Sequence, residues 1–484
     1  MNGVVINMHK GVNMNIMNKE KIPFKNKIIL IGFGSIARAL LPVLFQTFDI
    51  QSSQIRIIAH DDSGIKIAEK FNVSFLLNTL TPRNYNDVIG AVLQEDDFLI
   101  NLSVNISTND LIELCDKKGA FYMDTSTEPW KEEFLPQDLL PAHRTNYMLR
   151  ENTMKLKNIT KKTAILTHGA NPGLISHFVK QALCNMAKDN ELDITMPKNA
   201  SEWAYLAMRL GIKAIHVAES DTQVSNSCKL PGEFVNTWSV EGLVSEGLQP
   251  AELGWGTHEK HWPGDACAHD VGCKSSIFLA RPGAGTRVRS WVPSLGAYHG
   301  FLITHPETTT LANFLTLKNG SEIKYRPTVH YAYSPCPDAT LSLLELHNLE
   351  WQAQKNSRLI FNEIVDGTDE LGVLLMGNKK GAYWYGSKLS IHEARELAPH
   401  NNATSLQVVA GVVSGMIWAI EHPNEGIIEP EDIDHQYILA LALPYLGQVA
   451  GYYTDWTPLM NRETLFNEAL DHSDPWQFVN IRVN

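Results

Sequence analysis

Cysteine is scarce in this chain of 484 residues, which contains only six, at positions 115, 184, 228, 267, 273 and 336. Folds that depend on disulfides need a far higher density of cysteine. The sequence has no run of about 18 consecutive apolar residues, the length that a membrane span requires. Residues 1–26 also lack the continuous apolar core of a secretory signal. These absences predict a soluble, cytoplasmic protein with reduced thiols and a flexible tail at 1–26.

Basic residues are in deficit, with 41 Lys and Arg against 53 Asp and Glu, for a formal net charge of −12. Binding to nucleic acid requires clustered Lys and Arg to contact phosphates, so this balance argues against a nucleic-acid partner. A small cationic ligand fits the sign of the charge better. A mildly acidic surface is also common in cytosolic enzymes, where it indicates only solubility.

Apolar runs alternate with helical periodicity from residue 27 to residue 172. This alternation is typical of βαβ units, and it predicts a Rossmann-type domain with a doubly wound parallel sheet at 27–172. Beyond residue 172 the chain changes in character, with long loops rich in Trp, Gly, Pro and His at about 230–300. Helical segments return at 405–484, and we expect them to pack back on the Rossmann domain.

A glycine turn follows the first predicted strand in the stretch IILIGFGSIARAL at 28–40. Gly32 permits a tight turn, Gly34 lets the backbone approach a pyrophosphate, and Ala37 allows close packing of the helix on the strand. The helix N-terminus offers free N–H groups to the phosphates. Asp61, or alternatively Asp62, ends the second strand and would bind the ribose hydroxyls, which favours NAD; both acids could instead be ordinary turn residues.

The stretch HEKHWPGDACAHDVGC at 258–273 contains three His and two Cys within a short loop. A structural zinc site usually takes its four ligands as two close pairs. The spacing here does not form such pairs. We therefore predict no metal site.

Acidic residues surround Trp238 in the sequence, namely Glu219, Asp221, Glu241 and Glu246. Carboxylates and an indole face suit a cationic substrate, although solvated loop acids around a core Trp would produce the same pattern. His305 ends an apolar run and is suited to proton transfer with an amine, although a histidine at the end of a strand can equally be structural.

Long blocks of the sequence resemble the bacterial homospermidine synthases from about residue 28 to residue 460. They are IGFGSIARALLP, NLSVNISTNDLIELC, MDTSTEPW, GANPGLISHFVKQAL, FVNTWSVEGLVSEGLQPAELGWGTHEK, EIVDGTDELGVLL, AYWYGSKLS and GYYTDWTPLM. The resemblance implies a Rossmann domain with bound NAD and a second α/β domain at 173–404 that supplies most of the substrate site and the contacts of a homodimer.

The resemblance also implies a reaction. Two putrescines, or spermidine and putrescine, give sym-homospermidine with ammonia, or with 1,3-diaminopropane. NAD takes a hydride from the first amine and returns it to the new imine, so the cofactor ends unchanged. The small cationic diamine is then the substrate, and the enzyme is an aminobutyltransferase.

The resemblance assigns roles to particular residues of this chain. The catalytic set is His305, Glu219, Glu246, Trp238 and Asn171. The substrate-binding set is Glu128, Asn105, Asp366, Asp369 and Glu370, and the resemblance leaves open which of the last three faces the site. The NAD-binding set is Gly32, Gly34, Ser35, Ile36, Asp61, Asn101, Ser103 and Asn171. One position departs from the family, which has Asp where this chain has Asn105.

An alternative function is an amine or amino-acid dehydrogenase of the saccharopine reductase type, which would use NAD or NADP. Such an enzyme needs basic residues to bind the carboxylate of its substrate, and Arg287 and Arg289 are the candidates. A remoter alternative is a polyamine sensor without catalytic activity.

Overall fold

The computed structural model of the protein describes residues 20–134 and 140–483. Most of the expected tail at 1–26 lies outside the described residues. The strands are β1 (Ile22–Pro23), β2 (Ile28–Ile31), β3 (Phe48–Asp49), β4 (Ile55–Ala59), β5 (Ser74–Leu77), β6 (Phe98–Asn101), β7 (Phe121–Asp124), β8 (Ala164–Ile165), β9 (Ala214–Asp221), β10 (Val224–Ser225), β11 (Glu233–Asn236), β12 (Pro250–Gly254), β13 (Ala266–Ala268), β14 (Ser276–Pro282), β15 (Arg287–Val292), β16 (Gly296–Phe301), β17 (Leu317–Asn319), β18 (Glu322–Tyr325), β19 (Thr328–Ser334), β20 (Asn356–Leu359), β21 (Ile364–Asp366), β22 (Thr368–Met376), β23 (Ala382–Ser390), β24 (Ile427–Ile428), β25 (Gln448–Thr454) and β26 (Arg482–Val483).

Helices connect these strands and cover the faces of the sheets. They are α1 (Ser35–Thr47), α2 (Ile65–Lys70), α3 (Tyr85–Gly90), α4 (Thr108–Lys118), α5 (Lys131–Phe134), α6 (Asn146–Met154), α7 (Leu174–Asp189), α8 (Ala200–Arg209), α9 (Val240–Leu248), α10 (Glu307–Phe314), α11 (Pro337–Asn348), α12 (Ile391–Leu397), α13 (Ala403–Glu421), α14 (His435–Ala442) and α15 (Phe478–Ile481).

The first sheet is parallel, with the strand order β24-β8-β7-β6-β2-β4-β5. Strand β2 is apolar throughout because both of its faces are covered. Ile28 and Leu30 pack with α1, whereas Ile29 and Ile31 pack with α3 and α4. The strand order reverses at β2, which is where open α/β sheets bind dinucleotides. The predicted Rossmann-type, doubly wound parallel sheet is confirmed.

The second sheet is mixed, with a main strand order of β13-β14-β12-β19-β9-β22-β23-β25. Strands β9 and β19 run parallel to each other, and β9 pairs antiparallel with β22. Helices α7, α10 and α13 pack on one face of this sheet, while the hairpin β15–β16 and the C-terminal segment cover the other. The expectation of a second α/β domain is therefore also confirmed.

Helix α13 lies between the two sheets. It contacts α1, β7 and β8 on one side and β22 and β23 on the other. Its length and a mean hydropathy of 1.6 would suffice for a membrane span, but 89% of that stretch is buried, as in the core helix of a soluble protein. Strand β24 joins the edge of the first sheet, beside β8, whereas β25 joins the second sheet. The segment 405–484 is thus divided between both sheets, and the exact domain limits stay a prediction.

Candidate active site

The glycine turn after β2 is built for a close approach of a ligand to the backbone. Gly32 has φ +83, and a Cβ there would lie 2.9 Å from the Ser103 Cβ and 3.0 Å from the Leu102 carbonyl oxygen. Gly34 precedes α1, and a Cβ at Gly34 would meet nothing within 4 Å. No side chain caps this helix, so its first N–H groups are available to a phosphate.

Helix α1 begins at Ser35. The hydroxyl of Ser35 is buried and has no hydrogen-bond partner among the described residues. A buried hydroxyl without a partner is costly, unless a ligand supplies the missing bond. Ile36 and Ser103 line the adjacent cleft. Asn101 accepts from the Ser103 N–H and donates to the Ile106 carbonyl, so it shapes the loop rather than facing the cleft. The residues of the turn fit a dinucleotide pyrophosphate.

Asp61 lies past the end of β4 with its carboxylate half exposed. Partial burial raises its pKa, but hydrogen bonds from Ser63 and the charges of His60 and Arg38 lower it below 3.8. The ionised carboxylate suits ribose hydroxyls and repels a 2′-phosphate. Arg38 is close to Asp61 but is already engaged, since it donates to the Phe33 carbonyl at 2.8 Å and to Ser63 at 2.5 Å. Arg38 comes before Asp61 in the chain, and no motif in the sequence pairs the two residues.

One cleft, partly open to solvent, runs from the glycine turn to the second sheet. It brings together most of the predicted catalytic and substrate-binding residues. Those that line it are Asn105, Glu128, Asn171, Glu219, Trp238, Glu246 and His305. Among the described residues that line the cleft, none is Lys or Arg. The described lining of the cleft is therefore mainly acidic, with His305 as its one basic side chain.

Glu219 is buried on β9 and is held by donors from two parts of the chain. Asn171 donates to its Oε2 at 2.8 Å, and the Tyr331 hydroxyl donates to the same oxygen. Burial raises the pKa of Glu219 to about 7, although these two hydrogen bonds oppose the rise. A carboxyl with such a pKa can exchange a proton with a substrate near neutral pH.

His305 is buried between two carboxylates. Its Nδ1 lies 3.1 Å from both oxygens of Glu307, and its Nε2 lies 3.4 Å from Oε2 of Glu246. Burial lowers the pKa of His305, but Glu307 and Glu246 outweigh this effect and raise the pKa well above 6.5. Among the described donors only Nε2 of His305 approaches Oε2 of Glu246, so this oxygen retains room to accept from an ammonium group as well.

Glu128 lies opposite these residues, on the loop after β7. Its carboxylate accepts from the backbone N–H of Asn105 at 3.0 Å and from the Ser126 hydroxyl at 3.0 Å. Burial raises the pKa of Glu128 to about 7, and the charge of Glu246 adds to the rise. Asn105 has φ +63, a conformation that Asn and Asp adopt more readily than most residues, and it supports Glu128 through its backbone.

Trp238 presents a half-buried indole to the cleft just before α9. Its Nε1 donates to the Tyr333 hydroxyl at 3.3 Å. A Cβ on Gly242 would lie 2.8 Å from the indole ring, so the first turn of α9 packs directly on it. The ring is thereby fixed in orientation, as a cation-binding aromatic face requires.

The three acids of the VDGTDE stretch take separate positions. Asp369 is buried on β22 opposite Asp221 in the register, and it accepts from Thr404, which lines the cleft. Burial, with Glu219 and Asp221 nearby, raises the pKa of Asp369 well above 3.8. Asp366 is exposed, and Glu370 accepts from Ser294 at the opposite face of the strand. Asp366 and Glu370 do not line the cleft, so Asp369 is the acid of this stretch that lies nearest to it through Thr404.

The arginines considered for a carboxylate substrate lie away from the cleft. Arg287 stacks over the ring of Phe301 at 3.2 Å, and Arg289 is grouped with Arg462 and Glu468. Neither lines the acidic site.

The histidines of the His- and Cys-rich loop at 258–273 contact separate partners. His258 contacts the Trp476 carbonyl, His261 pairs with Asp471, and His269 stacks on Tyr147. Among the described residues, no group of three or more His, Cys, Asp or Glu is arranged to hold a metal.

Three residues of the site were missed by the sequence analysis. Glu307 follows His305 by two positions and is visible as an acid in the first turn of α10. Tyr331 comes from a distant strand and gives no local signal. Asp124 ends β7, where acids of Rossmann sheets are often functional. It accepts from the Thr167 N–H at 2.6 Å, the Thr108 hydroxyl at 2.9 Å and the Tyr122 hydroxyl at 2.9 Å, and so links the end of β7 to the start of α4 and to the loop after β8.

Comparison with protein families matches the saccharopine dehydrogenase NADP binding domain to residues 28–166 and the saccharopine dehydrogenase C-terminal domain to residues 169–454. Among solved structures, the saccharopine dehydrogenase (L-Glu forming) of Saccharomyces cerevisiae has a TM-score of 0.51 at 9% identity, covering 88% of this chain and 99% of that chain. At that identity the likeness concerns the fold alone.

Much stronger similarities are found to homospermidine synthases. The protein of Blastochloris viridis is 49% identical over 463 residues, which cover 94% of this chain and 97% of that protein. The protein of Mesorhizobium japonicum is 47% identical over 465 residues, or 94% and 96% of the two chains. The crystal structure of the Legionella pneumophila homospermidine synthase in complex with NAD has a TM-score of 0.92 and 62% identity, covering 96% of this chain and all of that one. This chain belongs to the homospermidine synthase family.

Proposed function

We propose that this protein is an NAD-dependent homospermidine synthase that joins two putrescines, or spermidine and putrescine. The observation that carries the proposal is the cleft beside the glycine turn, which presents Glu128, Glu219 and Glu246 with the indole of Trp238 and, among its described lining, no Lys or Arg. A diamine carries two ammonium groups at neutral pH, and paired carboxylates with an aromatic face are the groups that bind them.

The glycine turn supports NAD as the cofactor. The uncapped N-terminus of α1 and the Ser35 hydroxyl would hold the pyrophosphate, and ionised Asp61 would bind the ribose. Bound NAD supplies hydride acceptance from the carbon that bears the amine and hydride return at the end of the cycle.

The residues of the chain bind, orient and exchange protons. Trp238 would guide the cationic chain, while Glu128 and Glu246 would pair with its nitrogens. Glu219, held by Asn171 and Tyr331, is placed to take a proton from the reacting ammonium, because its pKa of about 7 lies close to the working pH. The cleft walls limit entry of water, which would hydrolyse the imine.

The test is to incubate the purified protein with NAD and putrescine and to measure products. Homospermidine and ammonia should accumulate in equal amounts without accumulation of NADH. Stoichiometric NADH without a triamine would overturn the proposal in favour of a dehydrogenase. Glu370→Gln provides a control, because this acid lies on the opposite face of β22 and should leave turnover within about twofold of the wild type.

The dehydrogenase alternative receives little support. It requires a cation for the substrate carboxylate, and both Arg287 and Arg289 lie outside the cleft.

We further propose that the enzyme is a cytoplasmic homodimer, which rests on the family resemblance. Light scattering coupled to gel filtration tests the dimer, since a monomer mass at micromolar concentration would contradict it.

A further inference from the structure

The two nitrogens of His305 face different carboxylates. Nδ1 lies 3.1 Å from both oxygens of Glu307, which is itself fully buried, and Nε2 lies 3.4 Å from Glu246. A neutral imidazole has only one N–H and could donate to only one of these acids. The imidazolium has two, and therefore satisfies both sides of this arrangement.

Every charged or titratable group recorded near the ring favours the protonated form. Glu307 comes from α10, Glu246 from α9 and Glu219 from β9, and each carries or can carry negative charge. Tyr331 on β19 packs its ring 4.7 Å from the imidazole and gives its own hydrogen bond to Glu219. Lys and Arg are absent from the described lining of the cleft.

We propose that Glu307 is a positioning residue that orients His305 and keeps it an imidazolium, so that His305 enters the reaction as a proton donor through Nε2. The inference rests on the proposed function. It assigns the task of accepting the first proton from substrate to Glu219 and removes it from His305.

The exchange of amines then balances within the site. The second diamine first gives one ammonium proton to solvent. Its neutral nitrogen then attacks the carbon of the protonated imine and forms a carbon that bears both nitrogens. Nε2 gives its proton to the departing nitrogen and takes back the proton that the incoming nitrogen loses. The bond from carbon to the departing nitrogen breaks, this nitrogen leaves as ammonia, and the imidazolium is restored. No further co-reactant is required.

The primary test is the pH dependence of kcat/KM in Glu307→Gln. Loss of an adjacent carboxylate should move the basic limb of the profile to lower pH by about one unit or more, because the imidazolium loses a stabilising charge. The KM for putrescine should change less than kcat. Glu307→Asp keeps the charge and should restore most of the wild-type profile. An unmoved basic limb, or a shift confined to the acidic limb, would overturn the inference.

A matched control separates this role from support of the helix. Glu431 is also buried and accepts from Thr310 of the same helix, α10, and from Ser176, but it does not line the cleft. Glu431→Gln should leave the pH profile in place. If it shifts the basic limb as far as Glu307→Gln does, the effect is structural and the inference fails.

Nitrogen NMR of histidine-labelled protein without substrate provides a readout that does not depend on turnover. The signal of His305, assigned by its loss in His305→Gln, should remain that of an imidazolium at about pH 8, more than one unit above the ordinary pKa of histidine. In Glu307→Gln the signal of His305 should be that of a neutral imidazole at the same pH. A neutral His305 in the wild type would overturn the inference even if the protein makes homospermidine, and an imidazolium would sustain it even if another amine proved to be the substrate.

Discussion

The side-chain amide of Asn171 donates a 2.8 Å hydrogen bond to the carboxylate of Glu219, and this bond links the end of the Rossmann segment to the second sheet. Both groups line the cleft, so under the proposed function a change at either one should affect turnover more than folding.

Asn171→Asp tests this link. The substitution sets a second carboxylate against Glu219, and the repulsion should lower kcat/KM for putrescine about 100-fold. Homospermidine formation measures the loss. Asn185→Asp is the control, because this amide bonds the Tyr383 hydroxyl away from the cleft and should leave kcat/KM nearly unchanged. Full activity of Asn171→Asp would show that the hydrogen bond from Asn171 to Glu219 is not needed for turnover.

Trp238→Ala tests the indole as a cation-binding face. The lost interaction should raise the KM for putrescine about tenfold, and Trp238→Phe should raise it less, because a phenyl ring retains part of the attraction. Initial rates at varied putrescine give both values. Trp262→Ala removes an exposed indole outside the cleft and should have no effect. Equal KM values for all variants would contradict the assigned role.

Glu219→Gln tests the energetic consequence of burying an acid. The pKa of Glu219 is about 7 in the folded protein against an ordinary value of 4.5. The native state therefore binds more protons than the unfolded chain between these values, so the contribution of Glu219 to stability is greatest at low pH and is lost as pH rises toward 7. Removing this acid should relieve that penalty.

The melting temperature of Glu219→Gln should therefore exceed that of the wild type by a few degrees at about pH 8 and differ little at about pH 5, while turnover is lost. Differential scanning calorimetry at the two pH values measures the difference. Glu396→Gln changes an exposed acid and should show no such pattern. A lower melting temperature for Glu219→Gln at about pH 8 would contradict the account.

Gly34→Ala separates cofactor binding from folding. A Cβ at Gly34 meets nothing within 4 Å, so the melting temperature of the NAD-free protein should be unchanged. The same methyl group faces the expected path of the pyrophosphate and should weaken NAD binding about tenfold or more, measured by calorimetric titration. Gly264→Ala, at another glycine with open space, should alter neither property. Unchanged affinity in Gly34→Ala would place the pyrophosphate elsewhere.

Asp124→Asn tests the link from β7 to α4 and to the loop after β8. It replaces one of the two carboxyl oxygens that accept from the Thr167 N–H and from two hydroxyls, which should loosen these contacts and lower kcat/KM about tenfold. Asp97→Asn is a matched control, since Asp97 is a buried aspartate that accepts two backbone N–H bonds at the other end of the same sheet. Asp97→Asn should lower the melting temperature but leave kcat/KM unchanged. A similar loss of activity in both variants would identify a general folding effect.

The Rossmann sheet was predictable because its signals are local. The apolar strand, the glycine turn and the helix follow one another within IILIGFGSIARAL, and each needs only its neighbours in sequence. The grouping of Glu128, Glu219 and His305 came from resemblance to a family. The spacing of these three residues in the sequence does not predict that their loops and strands converge.

Other parts of the site depend on packing that no local pattern records. Asp369 and Glu370 are consecutive in β22 and must face opposite sides of the sheet, but which side meets the cleft is decided by the helices that cover it. The same holds for Arg38, which precedes Asp61 by more than one element and meets it only through the packing of α1. Tyr331 reaches Glu219 because β19 pairs with β9.

The chain returns to the first sheet only at β24, and this late return affects how the protein folds while it is being synthesised. Residues 28–165 leave the ribosome well before helix α13 and the edge strand β24 that complete their sheet, because most strands of the second sheet come between them in the chain. The apolar surface that α13 covers on α1, β7 and β8 stays open during that interval. This N-terminal part of the nascent protein is therefore exposed to aggregation until α13 is made, and fragments ending near residue 172 should aggregate rather than fold.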